Sequence, residues 1–241
     1  MIFTFTDKGD RPINEDSLGV WENDQIKCLA LADGLGGHGA GDIASNLAVT
    51  TVMELISAKT SFSAQDFGAL FTEAQQRILN IQKSDASKKG MKTTLNILVA
   101  VADRAYWAHI GDSRIYHFRK RKLLERTKDH SVPQMLVNMG ELKEKRIRFH
   151  EDRNRLLKAL GTDIDPINFE IDNTGTDIRN GDYFLLCSDG FWELIDESKM
   201  LRAINKYKKP DEIMKHMVEI VKKNGRKKDM DNFSAILMEV E

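Results

Sequence analysis

The segment TLNILVAVADRAYWAHIGDSRIYHFRKRKLLE, residues 94–125, decides the fold class of this chain. It contains four runs rich in apolar, β-branched and aromatic residues, at 94–102, 105–110, 114–118 and 122–125. Short polar turns separate the runs, and this spacing is typical of successive antiparallel strands. The segment therefore predicts an antiparallel meander.

Helices are predicted on both sides of this segment. Apolar residues recur at helical spacing over 44–55 and over 67–81, where Ser63 is the expected N-cap, and Pro210 begins a late helix. Further strands are predicted at 19–21, 26–32, 168–171, 183–188 and 233–240. Because strands cluster with strands and helices with helices, the order favours an α+β fold with antiparallel sheets over βαβ winding. Helices of this length must cover sheet faces, so a layered sandwich is expected.

The overall composition favours one folded unit. The chain has 241 residues, and no stretch of it has the composition of a linker, so a single domain over residues 1–241 is expected. A net charge of −1 gives no general attraction to nucleic acid or to an anionic membrane. Cys28 and Cys187 lie inside apolar runs and read as buried thiols of a reducing compartment. The N-terminus lacks a signal-peptide pattern, and no apolar run is long enough to span a membrane, so a cytoplasmic protein is expected.

Four acidic motifs stand at the edges of predicted strands. A hard divalent cation such as Mg2+ or Mn2+ prefers oxygen ligands, and carboxylates at strand ends can converge from distant parts of a chain. Each motif alone also fits an ordinary turn or a solvated acidic pair. The motifs are Asn14-Glu15-Asp16, Asp33-Gly34, Ser188-Asp189-Gly190 and Asp231-Asn232.

Together with their neighbours, these motifs form an ordered series. The series is Arg11-Pro12-Ile13-Asn14-Glu15-Asp16, Asp33-Gly34-Leu35-Gly36-Gly37-His38-Gly39-Ala40-Gly41, Gly111-Asp112-Ser113-Arg114, Lys128-Asp129-His130-Ser131, Cys187-Ser188-Asp189-Gly190-Phe191-Trp192-Glu193 and Asp231-Asn232-Phe233-Ser234-Ala235. In this order it closely resembles the metal-dependent protein serine/threonine phosphatases of type 2C, in their compact single-domain form. The resemblance covers roughly residues 7–240. It implies a four-layer α-β-β-α sandwich of two antiparallel sheets, with a small flap subdomain at about 130–160.

The resemblance also implies a role for each acidic motif. Two Mg2+ or Mn2+ ions would activate a bridging water for attack on phosphorus. Asp33 would bridge the ions, and Asp16 would support metal-bound water. Asp112 would help to hold a third, weaker ion, and Arg11 would grip the substrate phosphate through its bidentate guanidinium. The implied metal ligands are Glu15, Asp33, the Gly34 carbonyl, Asp112, Asp189 and Asp231.

One position departs from the pattern of many eukaryotic members. Those proteins carry a histidine two residues after the bridging aspartate, proposed as the general acid, and this chain has Leu35 there. His38, in the same glycine-rich loop, is a candidate proton donor or a loop-stabilising group. The charged residues of the flap are expected to tune access of phosphoprotein substrates.

The function implied is hydrolysis of phosphoserine and phosphothreonine in proteins. A cellular serine/threonine kinase or its targets would be partners, a monomer is expected, and nucleic-acid binding is not, since aromatics do not interleave with the basic runs. The alternative is a catalytically silent relative that binds phosphoproteins or acts as a scaffold. Loss of an acidic ligand would favour that alternative, yet Glu15, Asp33, Asp189 and Asp231 are all present.

Overall fold

The computed structural model describes residues 1–35, 40–162, 168–171, 175–226 and 229–241. Within these ranges the strands form two sheets in which every pairing is antiparallel. In chain order the strands are β1 (Ile2–Asp7), β2 (Asp16–Glu22), β3 (Ile26–Leu35), β4 (Lys92–Thr93), β5 (Leu95–Val101), β6 (Arg104–Ile110), β7 (Arg114–Arg119), β8 (Lys122–Arg126), β9 (Glu170–Ile171), β10 (Thr176–Asp177), β11 (Tyr183–Cys187) and β12 (Phe233–Glu239).

The strand order shows where the predicted meander is wrong. One sheet has the order β1-β12-β11-β7-β8, and the other has the order β10-β6-β5-β3-β2, with β4 and β9 pairing at its margins. The hairpins β5-β6 and β7-β8 form as expected, but β6 and β7 belong to different sheets. The chain crosses between the sheets at Gly111–Ser113, where Gly111 has φ +106° and redirects the backbone. Pairing of β7 with the distant β11 then places it in the first sheet.

Helices cover the outer face of each sheet. They are α1 (Gly41–Ser57), α2 (Phe67–Ser84), α3 (Val132–Asn138), α4 (Asp189–Trp192), α5 (Glu197–Lys206) and α6 (Pro210–Gly225), with 3-10 turns at Ala64–Asp66, Ala86–Lys88 and Glu144–Phe149. The helices α1 and α2 bury their apolar stripes against β3 and β5. The helices α5 and α6 pack on the other sheet. A third apolar cluster, with Leu29, Leu98 and Leu186 fully buried, fills the space between the sheets. The four layers α-β-β-α confirm the expected fold class.

Local signals place several element ends correctly. Asp66 accepts a hydrogen bond from the Ser63 N–H at 2.7 Å, so the predicted cap opens the 3-10 turn that leads into α2. Pro210 occupies the first turn of α6, as predicted. Cys28 and Cys187 are buried free thiols, also as predicted. Across the described residues, no helix combines the length and apolar character needed to cross a bilayer.

Residues 130–160 form an excursion whose two ends meet. The Leu157 N–H donates to the His130 carbonyl at 2.8 Å, and Ser131 forms a β-bridge with Leu156. Between these ends lie α3 and the Glu144–Phe149 turn. The excursion is pinned to the body at Ile147, which is only 1% exposed and belongs to the cluster under α5 and α6.

Candidate metal centre

Acidic residues from both sheets meet at one end of the sandwich. Asp16 opens β2 and lies opposite Asp33 of β3. Asp189 follows β11 directly, Asp231 precedes β12, and Asp112 sits in the crossing between the sheets. A pocket of about 570 Å³ forms there, lined by Arg11, Pro12, Ile13, Glu15, Asp33, Gly34, Leu35, Asp112, Asn154, Leu156, Asp189, Asp231 and Asn232. Every predicted site residue except Asp16 therefore lines one cavity.

Asp33 is held in place by two threonines at the end of the neighbouring strand β4, Thr93 within it and Thr94 directly after it. Its N–H donates to Thr94 Oγ1 at 2.9 Å, and its carbonyl accepts from Thr93 Oγ1 at 2.8 Å. Thr94 Oγ1 also bonds to Ser113 Oγ at 3.0 Å, which ties the turn that carries Asp112 to the same strand.

Glu15 lies at the N-terminus of the 17-residue helix α1. Its carboxylate accepts a hydrogen bond from the Gly41 N–H, a position where the helix dipole favours negative charge. Gly34 donates its N–H to the Glu15 carbonyl at 3.0 Å. A Cβ on Gly34 would lie 2.2 Å from the Gly41 carbonyl oxygen, so close approach of two backbones requires glycine here.

Asp16 is buried next to the pocket and carries an unsatisfied oxygen. Ser188 Oγ donates to Asp16 Oδ2 at 2.9 Å and accepts from the Ser234 N–H at 3.0 Å. Asp16 Oδ1 has no hydrogen-bond partner. A buried carboxylate oxygen without a donor is costly unless a cation compensates it.

Asn232 joins three segments around the site. Its Oδ1 accepts from the Glu15 N–H at 2.8 Å, and its Nδ2 donates to the carbonyls of Lys8 and Ile13 at 2.9 and 3.0 Å. Since Asn232 is only 5% exposed, these bonds are shielded from water. Sequence reasoning quoted Asn232 as part of a motif but missed this role, because the partners are more than 200 residues away.

The carboxylates repel one another at neutral pH. Burial, and then the charges of Asp16 and Asp189, raise the pKa of Asp33 well above its usual range. Burial raises the pKa of Asp16 to about 7, and burial with the charge of Asp231 raises that of Asp189 to about 6. Burial, and then the charge of Asp189, also raise the pKa of Asp112 well above its usual range. The cluster thus holds more negative charge than its surroundings compensate.

This donor set fits divalent cations. The charge of Asp189 adds to burial in raising the pKa of Asp33, so a cation between the two carboxylates would relieve their repulsion. The orphaned Asp16 oxygen and the raised pKa values indicate the same deficit of positive charge. Oxygen-only donors in an open pocket suit Mg2+ or Mn2+, and the donor set contains no thiolate or imidazole.

Arg11 provides the nearest positive charge in the pocket. Its Nη2 donates to Asp231 Oδ2 at 2.9 Å, and its side chain is 45% exposed. The Asp231 charge raises the pKa of Arg11, so the guanidinium stays charged. His38, the candidate proton donor, lies outside the described residues.

A second group of metal-type side chains lies near the crossing but does not suit a metal. His109, His130 and Glu170 bring one donor atom each within 4.8 Å of the others. However, the Gly111 N–H donates to His130 Nδ1 at 3.1 Å, so the proton of the neutral ring sits on Nε2, which faces Glu170 at 3.3 Å. His130 therefore offers no free lone pair, and its ring stacks flat on His109. Its Nδ1 instead makes a structural hydrogen bond to the backbone of the crossing.

The sandwich and its acidic pocket define a metal-dependent hydrolase in which both sheets supply carboxylates to one site. Comparisons with known proteins specify the class further. A family model described as protein phosphatase 2C matches residues 9–234. The chain is 32% identical to the serine/threonine phosphatase stp of Listeria monocytogenes, over 97% of this chain and 93% of the relative.

Solved structures agree with the sequence match. The S. agalactiae serine/threonine phosphatase superposes with a TM-score of 0.87 at 30% identity, covering 100% of this chain and 99% of that one. The catalytic domain of the phosphatase PstP, solved with 2 manganese ions, superposes with a TM-score of 0.83 at 28% identity, over 99% and 97% of the two chains.

This chain belongs to the protein phosphatase 2C family. It is a protein serine/threonine phosphatase that depends on Mg2+ or Mn2+, and its substrates are phosphoproteins. The alternative of a catalytically silent scaffold is not favoured.

Proposed function

We propose that Glu15, Asp33, the Gly34 carbonyl, Asp189 and Asp231 hold the two catalytic ions, and that Asp112 with Asp189 holds a third, weaker one. The observation that carries this proposal is the convergence of these groups on one pocket with uncompensated negative charge. Asp16 supports the centre from behind through its bond with Ser188.

The chain's own residues then position the substrate. When bound, the two ions lower the pKa of a water molecule toward neutrality and offset charge on the phosphoryl oxygens. Arg11 contacts Asp231 through Nη2 and lies half-exposed at the pocket, so its remaining donors can bind a phosphate dianion. Leu35, Ile13 and Leu156 form apolar parts of the wall and limit access of bulk water to the site.

Single substitutions of the proposed ligands, each measured for activity and for Mn2+ binding, test the ligand assignment. Asp33→Asn and Asp231→Asn should abolish Mn2+-dependent hydrolysis of para-nitrophenyl phosphate and weaken Mn2+ binding by calorimetry. Asp24→Asn, in an exposed turn, is the matched control and should change neither. Full Mn2+ binding by Asp33→Asn would contradict the assignment, whatever its activity.

The role of Arg11 is tested by measuring whether its substitution changes KM without weakening Mn2+ binding. Arg11→Ala should raise KM for para-nitrophenyl phosphate by about tenfold or more, because a charge-assisted bond to phosphate is lost. Mn2+ affinity should not fall. An unchanged KM would remove Arg11 from phosphate binding.

We further propose that residues 1–241 form one catalytic domain with residues 130–160 as its flap, and that the chain is a monomer. Sedimentation at several concentrations tests the last point. The proposed substrates are a serine/threonine kinase or the targets of that kinase. If this is right, the enzyme should hydrolyse an autophosphorylated kinase faster than a small aryl phosphate at equal concentration. A cytoplasmic location is proposed from the two buried free thiols.

A further inference from the structure

A trough leads away from the metal centre. The 570 Å³ pocket shares Arg11, Asn154, Asp189 and Asp231 with an adjoining cavity of about 510 Å³. That cavity in turn shares Arg148, Phe149, Glu193 and Leu194 with a third cavity of about 480 Å³. Because each cavity has walls in common with the next, the three form one continuous surface depression.

The wall of the trough presents an exposed aromatic ring. Phe149 is 69% exposed, which is unusual for a phenylalanine. It ends the 3-10 turn Glu144–Phe149 and lines both the second and the third cavity. Leu194 lines the same two cavities. Large apolar groups left in water beside an active site are typical of a binding surface.

The backbone that carries Phe149 is firmly held. Ile147 is buried in the core, and Arg148 donates to the carbonyls of Trp192 and Ile195 at 2.7 and 2.9 Å. Arg148 also forms a two-pronged ion pair with Glu197, at 3.0 and 2.9 Å. The ring is therefore presented by a fixed element, so little conformational entropy opposes binding to it.

Two ion pairs lie in the wall of the trough beside Phe149. Arg153 Nε donates to Glu193 Oε2 at 3.0 Å, and Arg148 pairs with Glu197. Since these two arginines are engaged by carboxylates, the apolar wall at Phe149 and Leu194 is available for recognition. An apolar side chain is thus the chemistry that this part of the surface fits.

The size of the middle cavity sets the spacing. If its dimensions were equal, a space of about 510 Å³ would be on the order of 8 Å across, which is two or three residues at about 3.3 Å per residue of extended chain. A residue that far from the reacting phosphate would reach Phe149.

We propose that the trough binds the substrate chain on one side of its phosphorylated residue, and that Phe149 and Leu194 take a large apolar side chain two or three residues away. The proposal rests on the metal centre being the catalytic site. It makes the enzyme selective for phosphoproteins with an apolar residue at that spacing, beyond its requirement for phosphoserine or phosphothreonine.

Phosphopeptides of one scaffold provide the test. Leucine or alanine is placed two and three residues before and after the phosphothreonine, and kcat/KM is measured with Mn2+. The wild type should prefer leucine by about tenfold on one side, the usual selectivity of an apolar pocket. Phe149→Ala should reduce this preference to within about twofold and leave hydrolysis of para-nitrophenyl phosphate unchanged. Phe149→Leu should keep part of it.

Controls separate this proposal from the assignment of the centre. Phe3→Ala, on the distant strand β1, should keep the full preference. Three results would each overturn the proposal that the trough binds the substrate chain. They are no leucine preference in the wild type, an undiminished preference in Phe149→Ala, and an equal loss of preference in Phe3→Ala. Failure of the centre itself would show differently, as aryl phosphate hydrolysis that survives Asp33→Asn.

Discussion

Replacing one acidic ligand should stabilise the metal-free protein against unfolding. The same substitution should reduce the stabilisation that Mn2+ binding provides. Asp189 faces the pocket beside Asp33 and Asp231, and burial together with the charge of Asp231 raises its pKa to about 6 from a usual value of 3.8. The folded state therefore holds a proton on Asp189 at pH values where the unfolded state has released it. The stability that this proton confers is present below pH 3.8 and is lost as pH rises through about 6.

The size of the effect follows from the shift. About two pKa units correspond to roughly 3 kcal/mol, which is an upper bound because the carboxylate still faces an open pocket and is coupled to its neighbours. Asp189→Asn removes the charge with little change of shape. In chelator at pH 8 we expect the variant to unfold above wild type by up to roughly 6–12 °C, given about 2–4 °C per kcal/mol for a chain of this size.

Thermal unfolding followed by circular dichroism measures this, at pH 4.5, 6 and 8, in chelator and in Mn2+. In chelator, the increase in unfolding temperature of Asp189→Asn over wild type should be small at pH 4.5 and largest at pH 8. Mn2+ at about a hundredfold over its Kd should stabilise wild type by about 2.7 kcal/mol per site, and the variant by less. Asp24→Asn serves as the exposed control. A variant less stable than wild type in chelator at pH 8, or a difference that ignores pH, would refute the repulsion argument.

Three further predictions concern the groups that shape the centre. Gly34→Ala should lower the free energy of unfolding by roughly 2–3 kcal/mol in chemical denaturation, because the added Cβ would meet the Gly41 backbone. Gly68→Ala, with open space around it in α2, should raise the free energy of unfolding by about 0.5–1 kcal/mol. Equal effects of the two substitutions would contradict the close approach of the two backbones at Gly34. Asn232→Ala leaves the Glu15 N–H and the Ile13 carbonyl without these partners, while the Lys8 carbonyl keeps its bond from the Arg11 N–H. It should therefore cost about 3 kcal/mol and weaken Mn2+ binding in calorimetry, and unaltered Mn2+ affinity would argue against a positioning role. Burial lowers the pKa of His130 to about 4, so the stability that the neutral ring contributes is full above pH 6.5 and falls as pH drops toward 4. His130→Gln should flatten that part of the profile of unfolding free energy against pH. An unchanged profile would contradict this role of His130.

Much of the fold could be predicted from local patterns. The stripe over 44–55 marks α1, and Pro210 marks the start of α6, because helical periodicity and proline geometry act within a few residues. The hairpins β5-β6 and β7-β8 were also predictable from short turns between apolar runs.

The join between those hairpins was not predictable in the same way. Nothing within residues 94–125 specifies that β7 leaves the sheet of β6, since the choice depends on its pairing with β11, more than sixty residues later. The same limit hid the exposure of Phe149, whose ring looks like any other apolar residue in a charged stretch. Its neighbours Ile147 and Arg148 take the buried positions instead.

The sequence by itself determined the α+β class, the element positions and the identity of the acidic groups, since residue type and short-range spacing carry that information. Tertiary structure alone decided that Asp33, Asp189 and Asp231 share one pocket, and that Asn232 and Thr94 hold them there. The physical reason is range. Propensity and periodicity act over one or two turns of chain, whereas strand pairing and buried hydrogen bonds join residues that only a completed core brings together.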